Sequence, residues 1–171
     1  TMSVKAAHKA FEAAGVTPED IDLIIFCTMS PDQISPATAC FLQEKLGAKR
    51  AAAVDVGAAC AGFIYGLSLA RGAVVSGEAG TVLLVGGEAM SRYMDWTDRR
   101  TCVLFGDAAG AVVLRPSSNG RGVLSTVLGA DGTNSRLIEV PAGGSAMPAS
   151  RETVDGRMHF LKMSGPEVFK N

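Results

Sequence analysis

The chain has 171 residues, of which 47% are hydrophobic and 19% are charged, and its formal net charge is −1 at pH 7. This length and composition predict a globular chain of no more than one domain, with a buried core and no disordered segment. The small net charge gives no reason to expect nucleic acid or an anionic membrane as a partner, and no basic patch is interleaved with aromatic residues.

The first half of the chain shows an alternation of helical and strand patterns. Helices are predicted over 2–14, from Pro36 to Gly47 and over 64–75, with strands at 21–27, 51–56 and 81–85. Glycines at 15, 47 and 77 are typical of helix C-terminal caps. The alternation of strands and helices predicts a parallel sheet with helices packed on it.

The pattern changes after Thr101. Two short strands, 102–105 and 111–114, are predicted on either side of a tight Gly/Asp connection, followed by a strand over 122–128. Residues 129–157 are rich in Gly, Ser, Pro and Ala and predict a long irregular surface segment. The last residues open a helix and the first enter one without a preceding strand, so both ends are expected to be cuts.

Cysteine usage argues against a metal site. The four cysteines form no C-x-x-C pair, and the two histidines lie far from them in sequence. No signal peptide is apparent, and no uncharged run is judged long enough to cross a bilayer. Four reduced thiols in a cytoplasmic protein with no metal, no cofactor and no membrane partner are therefore expected.

Cys60 is the strongest candidate for chemistry. It follows the predicted strand 51–56 and stands just before a helix that is expected to be largely buried. Unpaired backbone N–H groups and the helix dipole stabilise a thiolate at such a position, and the flanking Ala and Gly leave room for a substrate carbonyl. The structural alternative is a small buried hydrophobe, as expected for Cys27, Cys40 and Cys102.

Several spaced blocks resemble a known family. Segment 55–63, DVGAACAGF, resembles the nucleophile segment of β-ketoacyl-acyl-carrier-protein synthase III, a thiolase-fold condensing enzyme. The resemblance continues in collinear order through DWTDR at 95–99, FGDAAGAVVL at 105–114, GADG at 129–132, PAGGS at 141–145 and MSGPEVFK at 163–170. It covers essentially the whole chain.

The resemblance implies an α/β, thiolase-like fold. Residues 1–171 would be the first βαβαβαββ half of a five-layered α-β-α-β-α sandwich, without its opening strand and truncated at both ends. The second half would supply a His and an Asn that complete the catalytic site. Without them, this part of the chain is expected to be inactive in condensation.

The implied enzyme is an acyltransferase that starts fatty-acid synthesis without a cofactor. Cys60 accepts an acyl group from acyl-CoA, and decarboxylative condensation with malonyl-acyl-carrier protein then gives a β-ketoacyl-acyl-carrier protein. Acyl-CoA and the acyl carrier protein are the implied partners, and a homodimer is the expected assembly.

Four further positions carry over from the resemblance. Arg99 matches an arginine that contacts the CoA nucleotide, although it could also be a solvated turn residue. Phe105 matches an aromatic near the nucleophile, and Met90 matches a residue that lines the acyl pocket; both would be core residues on either interpretation. Ser35 stands where several members carry a bulky apolar residue that closes the partner's acyl tunnel, which predicts a primer longer or bulkier than acetyl.

Two alternatives remain open at this point. One is a related thiolase-fold condensing enzyme of polyketide, alkylquinolone or long-chain ketone synthesis. The other is a non-catalytic half-subunit that acts as a dimerisation module.

The Gly106–Gly110 segment is not a phosphate loop, because it lacks the GK[ST] ending and precedes no predicted helix.

Overall fold

The computed structural model describes residues 1–170, which form two compact units. The first unit comprises residues 1–88 and 108–128, and the second comprises residues 89–107 and 129–170. The first unit carries the central sheet and Cys60.

The first unit is built on a four-stranded sheet with the strand order β2-β1-β3-β4. The strands are β1 Leu23–Cys27, β2 Ala52–Val56, β3 Val82–Ala89 and β4 Asp107–Leu114, and the helices are α1 Met2–Ala14, α2 Thr38–Leu46 and α3 Gly62–Ser76. Strand β1 pairs in parallel with both β2 and β3, with Ile25 opposite Val54 and Leu84. The predicted parallel sheet is confirmed.

Both faces of β1 are buried, which explains its uninterrupted apolar sequence. Ile24 and Phe26 belong to the core that contains Phe11 of α1 and Leu42 of α2. The alternate residues of β1 belong to a second core that contains Ala70 of α3. Helices α1 and α2 therefore cover one face of the sheet and α3 covers the other.

The helix boundaries follow the predicted caps. Helices α2 and α3 end at Gly47 and Gly77, which adopt left-handed φ angles of 74° and 80°. A side chain with Cβ would be strained there, so the glycines set where these helices stop.

The prediction of a tight turn at 106–110 is wrong. Residues 107–110 belong to the strand β4, which continues through the predicted strand 111–114, and 102–104 form turns instead of a strand. Gly, Asp and Ala are depleted in strands, so the composition favoured a turn, but strand preference is weak and tertiary context overrides it here. The start of β4 is held by Asp107, which accepts hydrogen bonds from the N–H and hydroxyl of Ser91, both at 2.7 Å.

The predicted strand at 122–128 is also wrong. This segment is irregular and is held by the side chains of α3. Arg71 donates to the carbonyl of Val123 at 2.9 Å, and the hydroxyl of Thr126 donates to that of Ser68 at 3.1 Å. Three apolar residues of the segment, Leu124, Val127 and Leu128, are exposed.

The expectation that α3 is largely buried is contradicted. Only Gly62, Gly66 and Ala70 are buried, because one side of the helix lies on the sheet. Apolar residues on its other sides are exposed, among them Ile64 and Val75. The described part of the first unit has a single sheet, so it packs against only one side of α3.

One stretch of the described chain, Ala59–Ser76, has the length and composition to cross a membrane, with a mean hydropathy of 1.4 over 18 residues. This stretch includes the single charge of Arg71, at which the uncharged run considered in the sequence ends. The same length and composition occur in core helices of soluble proteins.

The second unit holds short elements, in keeping with the predicted irregular segment. Its strands β5 Ile138–Glu139 and β6 Lys162–Met163 pair antiparallel, and its helices are α4 Arg151–Asp155 and α5 Gly165–Val168. Ser150 caps α4 by accepting the N–H of Thr153 at 3.2 Å. The predicted helix opening near residue 165 is confirmed.

Candidate active site

Cys60 lies in a short 3₁₀ turn, Ala59–Ala61, between the end of β2 and the start of α3 at Gly62. The turn is closed by a hydrogen bond from the N–H of Ala61 to the carbonyl of Ala58, at 3.0 Å. The Cys60 side chain is exposed. The predicted placement, after a strand and before the first turn of a helix, is confirmed.

Ala59 has a strained backbone next to the candidate nucleophile. Its φ of 42° lies in the left-handed region, which residues with a Cβ adopt at a cost of about 1–2 kcal/mol. Such strain collects at functional sites, because the surrounding structure holds a conformation that the chain alone would avoid. Sequence analysis missed Ala59, since nothing distinguishes it from the small residues around it.

The four thiols have different environments. Cys27 is buried, Cys40 and Cys102 are half-buried and Cys60 is exposed. Burial raises the pKa of the Cys27 thiol to about 11, with smaller contributions of either sign from the backbone of Gly66 and from nearby carboxylates. Cys27 is therefore a protonated core thiol at neutral pH, as predicted, whereas Cys60 is accessible to a substrate.

Ser35 lies on the exposed connection between β1 and α2. Its carbonyl accepts a hydrogen bond from the side-chain amide of Gln33 at 2.5 Å. The neighbouring Ile34 is 92% exposed in this chain. Ser35 and Cys60 both belong to the first unit.

Arg99 lies in the second unit, beside a second arginine that has a partner. Arg100 forms two hydrogen bonds with the carboxylate of Asp98, at 2.9 and 3.0 Å, which hold the pKa of Asp98 below its usual range. Arg99 is exposed and makes no side-chain hydrogen bond or ion pair with any of residues 1–170. Its guanidinium is thus available to an external anion, whereas that of Arg100 is engaged.

Met90 and Phe105 also belong to the second unit. Met90 is buried at the start of a 3₁₀ turn, Met90–Arg92, and Phe105 is half-buried before β4. Met90 is a core residue, as predicted, whereas Phe105 is only half-buried and the prediction of a core position is wrong for it. The roles proposed for them in an acyl pocket stay predictions.

A buried carboxylate organises the turn that carries Arg99. Asp95 accepts hydrogen bonds from the N–H and hydroxyl of Thr97, at 2.9 and 2.6 Å, and two from the guanidinium of Arg157. These bonds, chiefly those from Arg157, hold the pKa of Asp95 well below its usual range. Arg157 also lies over the ring of Phe160, 5.1 Å from its centroid. Sequence analysis missed this pair, because 62 residues separate its members.

We expect the Asp95–Arg157 pair to make stability pH-dependent. The pKa of Asp95 is lower in the folded than in the unfolded state, so its contribution is complete above about pH 5 and is lost as the pH falls through the depressed folded value. In urea denaturation, the difference in the free energy of unfolding between the wild type and D95N should therefore be smaller at pH 3 than at pH 7.

Asp131 provides the matched control for this pair. It accepts the same two bonds from Thr133, at 2.9 and 2.6 Å, but has no arginine partner among the described residues. D131N should therefore lose less unfolding free energy than D95N, and this loss should depend much less on pH. If the loss caused by D95N were equal at pH 3 and pH 7, the Asp95–Arg157 pair would not be the source of the pH dependence.

Within residues 1–170, the histidines and the metal-ligating side chains form no second cluster suited to chemistry. The Nε2 of His159 lies 2.9 Å from the hydroxyl of Thr153, which ties it to the cap of α4. His8 packs edge-on against Phe11 in the first unit. Among residues 1–170, no group of three His, Cys, Asp or Glu side chains could hold a metal ion.

Nearly the whole chain is similar in sequence to known proteins. Residues 54–132, which include Cys60, match the family described as 3-oxoacyl-[acyl-carrier-protein (ACP)] synthase III. The chain is 54% identical over 168 residues to a β-ketoacyl-[acyl-carrier-protein] synthase III from Symbiobacterium thermophilum, and the match covers 98% of this chain and 51% of that protein.

Solved structures give the same relationship. A 3-oxoacyl-[acyl-carrier-protein] synthase III from Aquifex aeolicus VF5 superposes with a TM-score of 0.85 at 39% identity, over 99% of this chain and 51% of that one. The corresponding protein from Pseudomonas aeruginosa PAO1 gives 0.86 at 35% identity, over 99% and 51%. The predicted thiolase-like α/β fold is confirmed, and the chain spans about half the length of the curated relatives it matches.

Proposed function

The chain belongs to the 3-oxoacyl-[acyl-carrier-protein] synthase III family, and from this we propose that the protein is an acyltransferase that condenses an acyl group with malonyl-acyl-carrier protein. The observation that carries the proposal is Cys60, an exposed thiol on a strained turn inside the matched region. Because the chain spans about half of its relatives' length, the activity is proposed for the whole protein.

The first step is transfer of the acyl group to Cys60. The thiolate attacks the carbonyl carbon of the acyl-CoA thioester, and the tetrahedral intermediate expels the CoA thiolate, which takes up a proton. The backbone N–H of Cys60 itself is suited to donate to the oxyanion of this intermediate. A thiolate is both a good nucleophile and a good leaving group, so the acyl group stays reactive on the enzyme.

The second step forms the carbon–carbon bond. Malonyl-acyl-carrier protein loses CO₂, and the resulting carbanion equivalent attacks the acyl carbonyl and releases the Cys60 thiolate. The His and Asn that the family resemblance assigns to this step have no counterpart in residues 1–171. We therefore expect the chain alone to be inactive in condensation, and we place the remaining residues of the five-layered sandwich against the exposed side of α3.

The proposal includes the partners and the setting. Acyl-CoA and the acyl carrier protein are the substrates, no cofactor takes part, and the protein is a cytoplasmic homodimer without nucleic-acid or membrane partners. Arg99 is proposed to bind the CoA nucleotide, since its exposed guanidinium is uncommitted. Intact mass of the natural full-length protein after incubation with acyl-CoAs tests the proposal, and the absence of any acyl adduct would refute it.

The identity of the primer depends on Ser35. In the proposed homodimer, Ser35 of one subunit lies at the end of the acyl tunnel of the other. S35F should then slow acylation of Cys60 by octanoyl-CoA about tenfold relative to acetyl-CoA, because a phenyl group occupies space that the longer chain needs. The rates are measured by intact mass. S117F makes the same change at an exposed serine elsewhere in the first unit, and it should leave the ratio unchanged. A wild-type protein that accepts only acetyl-CoA would contradict the prediction.

A further inference from the structure

The carboxylate of Glu88 holds the start of the connection that carries Ser35. Its Oε1 accepts the N–H of Met29 at 2.9 Å, and its Oε2 accepts the N–H of Ser30 at 3.1 Å. The same Oε2 also accepts the hydroxyls of Ser30 and Thr28, the latter at 3.1 Å. Four donors from three successive residues thus meet one side chain that is about 60 residues away in sequence.

The sheet register explains why a carboxylate is needed at this point. Strand β3 continues past β1, whose last pair joins Cys27 to Gly86. Two residues beyond this pair, the chain reaches Met29 after β1 and Glu88 within β3. The backbone of β1 has left the sheet there, so the N–H groups of Met29 and Ser30 bond the side chain of Glu88 rather than a neighbouring strand.

A second carboxylate holds the far end of the same connection. Asp55 accepts the N–H groups of Thr38 and Ala39, at 2.7 and 2.8 Å, and so caps α2. The hydroxyl of Thr38 in turn accepts the N–H of Asp32 at 3.1 Å. Ser35 therefore lies on a short exposed span whose two ends are fixed by carboxylates from β2 and β3.

We propose that Glu88 is a positioning residue, which sets the conformation of segment 28–38 and through it the acyl-group preference at Ser35. The selectivity part rests on the proposed function. The geometry suits a carboxylate, because the N–H of Met29 meets one oxygen and the N–H of Ser30 meets the other, while also donating to the hydroxyl of Thr28 at 3.0 Å. A glutamine has one acceptor oxygen, so E88Q sets an NH₂ group against one of those N–H groups while keeping the size of the side chain.

Asp22 offers a matched control at the opposite end of the same strands. Its Oδ2 accepts the N–H groups of Gly80 and Thr81, both at 2.9 Å, and so ties the start of β1 to the start of β3. D22N removes a charge from a carboxylate that bonds two backbone N–H groups, but it does so far along the strand from segment 28–38. Because both N–H groups meet the same oxygen, the amide oxygen of an asparagine can accept both, so D22N controls for the loss of a negative charge beside the sheet.

The test uses the natural full-length protein and two measurements. In hydrogen exchange, E88Q should speed exchange in segment 28–38 about tenfold relative to the wild type, and D22N should not. In acylation of Cys60, E88Q should change the octanoyl-CoA to acetyl-CoA rate ratio about tenfold, and D22N should leave it unchanged.

The outcomes separate this proposal from the proposed function. Unchanged exchange in segment 28–38 of E88Q overturns the positioning role, whatever the enzyme does. Faster exchange with an unchanged rate ratio overturns the selectivity role and leaves Glu88 as a structural residue. If no acyl-CoA acylates the wild type, the proposed function and the selectivity role fail together, and the exchange result decides the positioning role.

Discussion

Replacement of Cys60 by alanine is expected to abolish formation of an acyl-enzyme from acyl-CoA, a loss on the order of 10³-fold or more. The acyl group needs a sulfur that a CoA thioester can reach, and Cys60 is the exposed one of the four thiols. The measurement is intact mass of the natural full-length protein after incubation with acyl-CoA, with peptide mapping of the modified residue. The variant should retain its fold, because an exposed side chain contributes little packing.

Cys27 is the matched control for this loss. It is a free thiol in the same unit, but it is buried and its pKa is raised to about 11, so it is neither reached by substrate nor ionised at neutral pH. C27A should keep the acyl adduct and lose stability instead, since it opens a small cavity between β1 and α3. An adduct that persists in C60A, or that spreads over all four thiols, would contradict the assignment of Cys60 as nucleophile.

The sequence was informative wherever a local pattern decides the structure. Apolar runs with capping glycines predicted the three main helices and the parallel strands, and the Gly/Ala setting of Cys60 predicted its turn before α3. The second half of β4, 111–114, was predicted, but its first half, 107–110, was not, because its Asp, Ala and Gly residues are typical of turns. Its extended conformation comes from tertiary context, which includes pairing in the sheet and the Asp107–Ser91 bonds.

The organising carboxylates could not be found in the sequence for a different reason. Glu88 meets its partners across about 60 residues, and Asp95 meets Arg157 across 62. Contacts between residues so far apart in sequence depend on the tertiary arrangement of strands and loops, and no periodicity or spacing in the sequence predicts them. The exposure of α3 likewise reflects what packs against it, since an apolar helix can be buried on one side or on two.

Alanine at Gly66 is expected to destabilise the protein by about 1–3 kcal/mol. A Cβ at this position would lie 2.5 Å from the Sγ of Cys27 and 2.5 Å from the Cδ1 of Leu84. Both neighbours are buried in the sheet, so neither can move into open space and α3 must shift away. Urea denaturation of G66A measures the loss, and a midpoint equal to that of the wild type would contradict the close packing.

The consequence for Cys60 follows from its place on the same helix. Helix α3 begins at Gly62, directly after the turn that holds Cys60, and Gly66 is one turn further along. A shift of α3 off the sheet would displace that turn, so G66A should also slow acylation of Cys60. Gly72 gives the matched substitution in the same helix, since a Cβ there meets nothing within 4 Å in the described chain.

The sign of the change in unfolding free energy caused by G72A tests whether a second half of the protein covers the outer side of α3. Where the outer side of α3 stays open, G72A should stabilise by about 0.5–1 kcal/mol, because alanine favours a helix over glycine. Where a second half covers that side, as the five-layered sandwich predicts, the added methyl must fit against it and the gain shrinks or reverses. G66A should be destabilising in both cases, since its contacts lie within residues 1–170. The two alanines therefore separate packing against the sheet from packing against the rest of the protein.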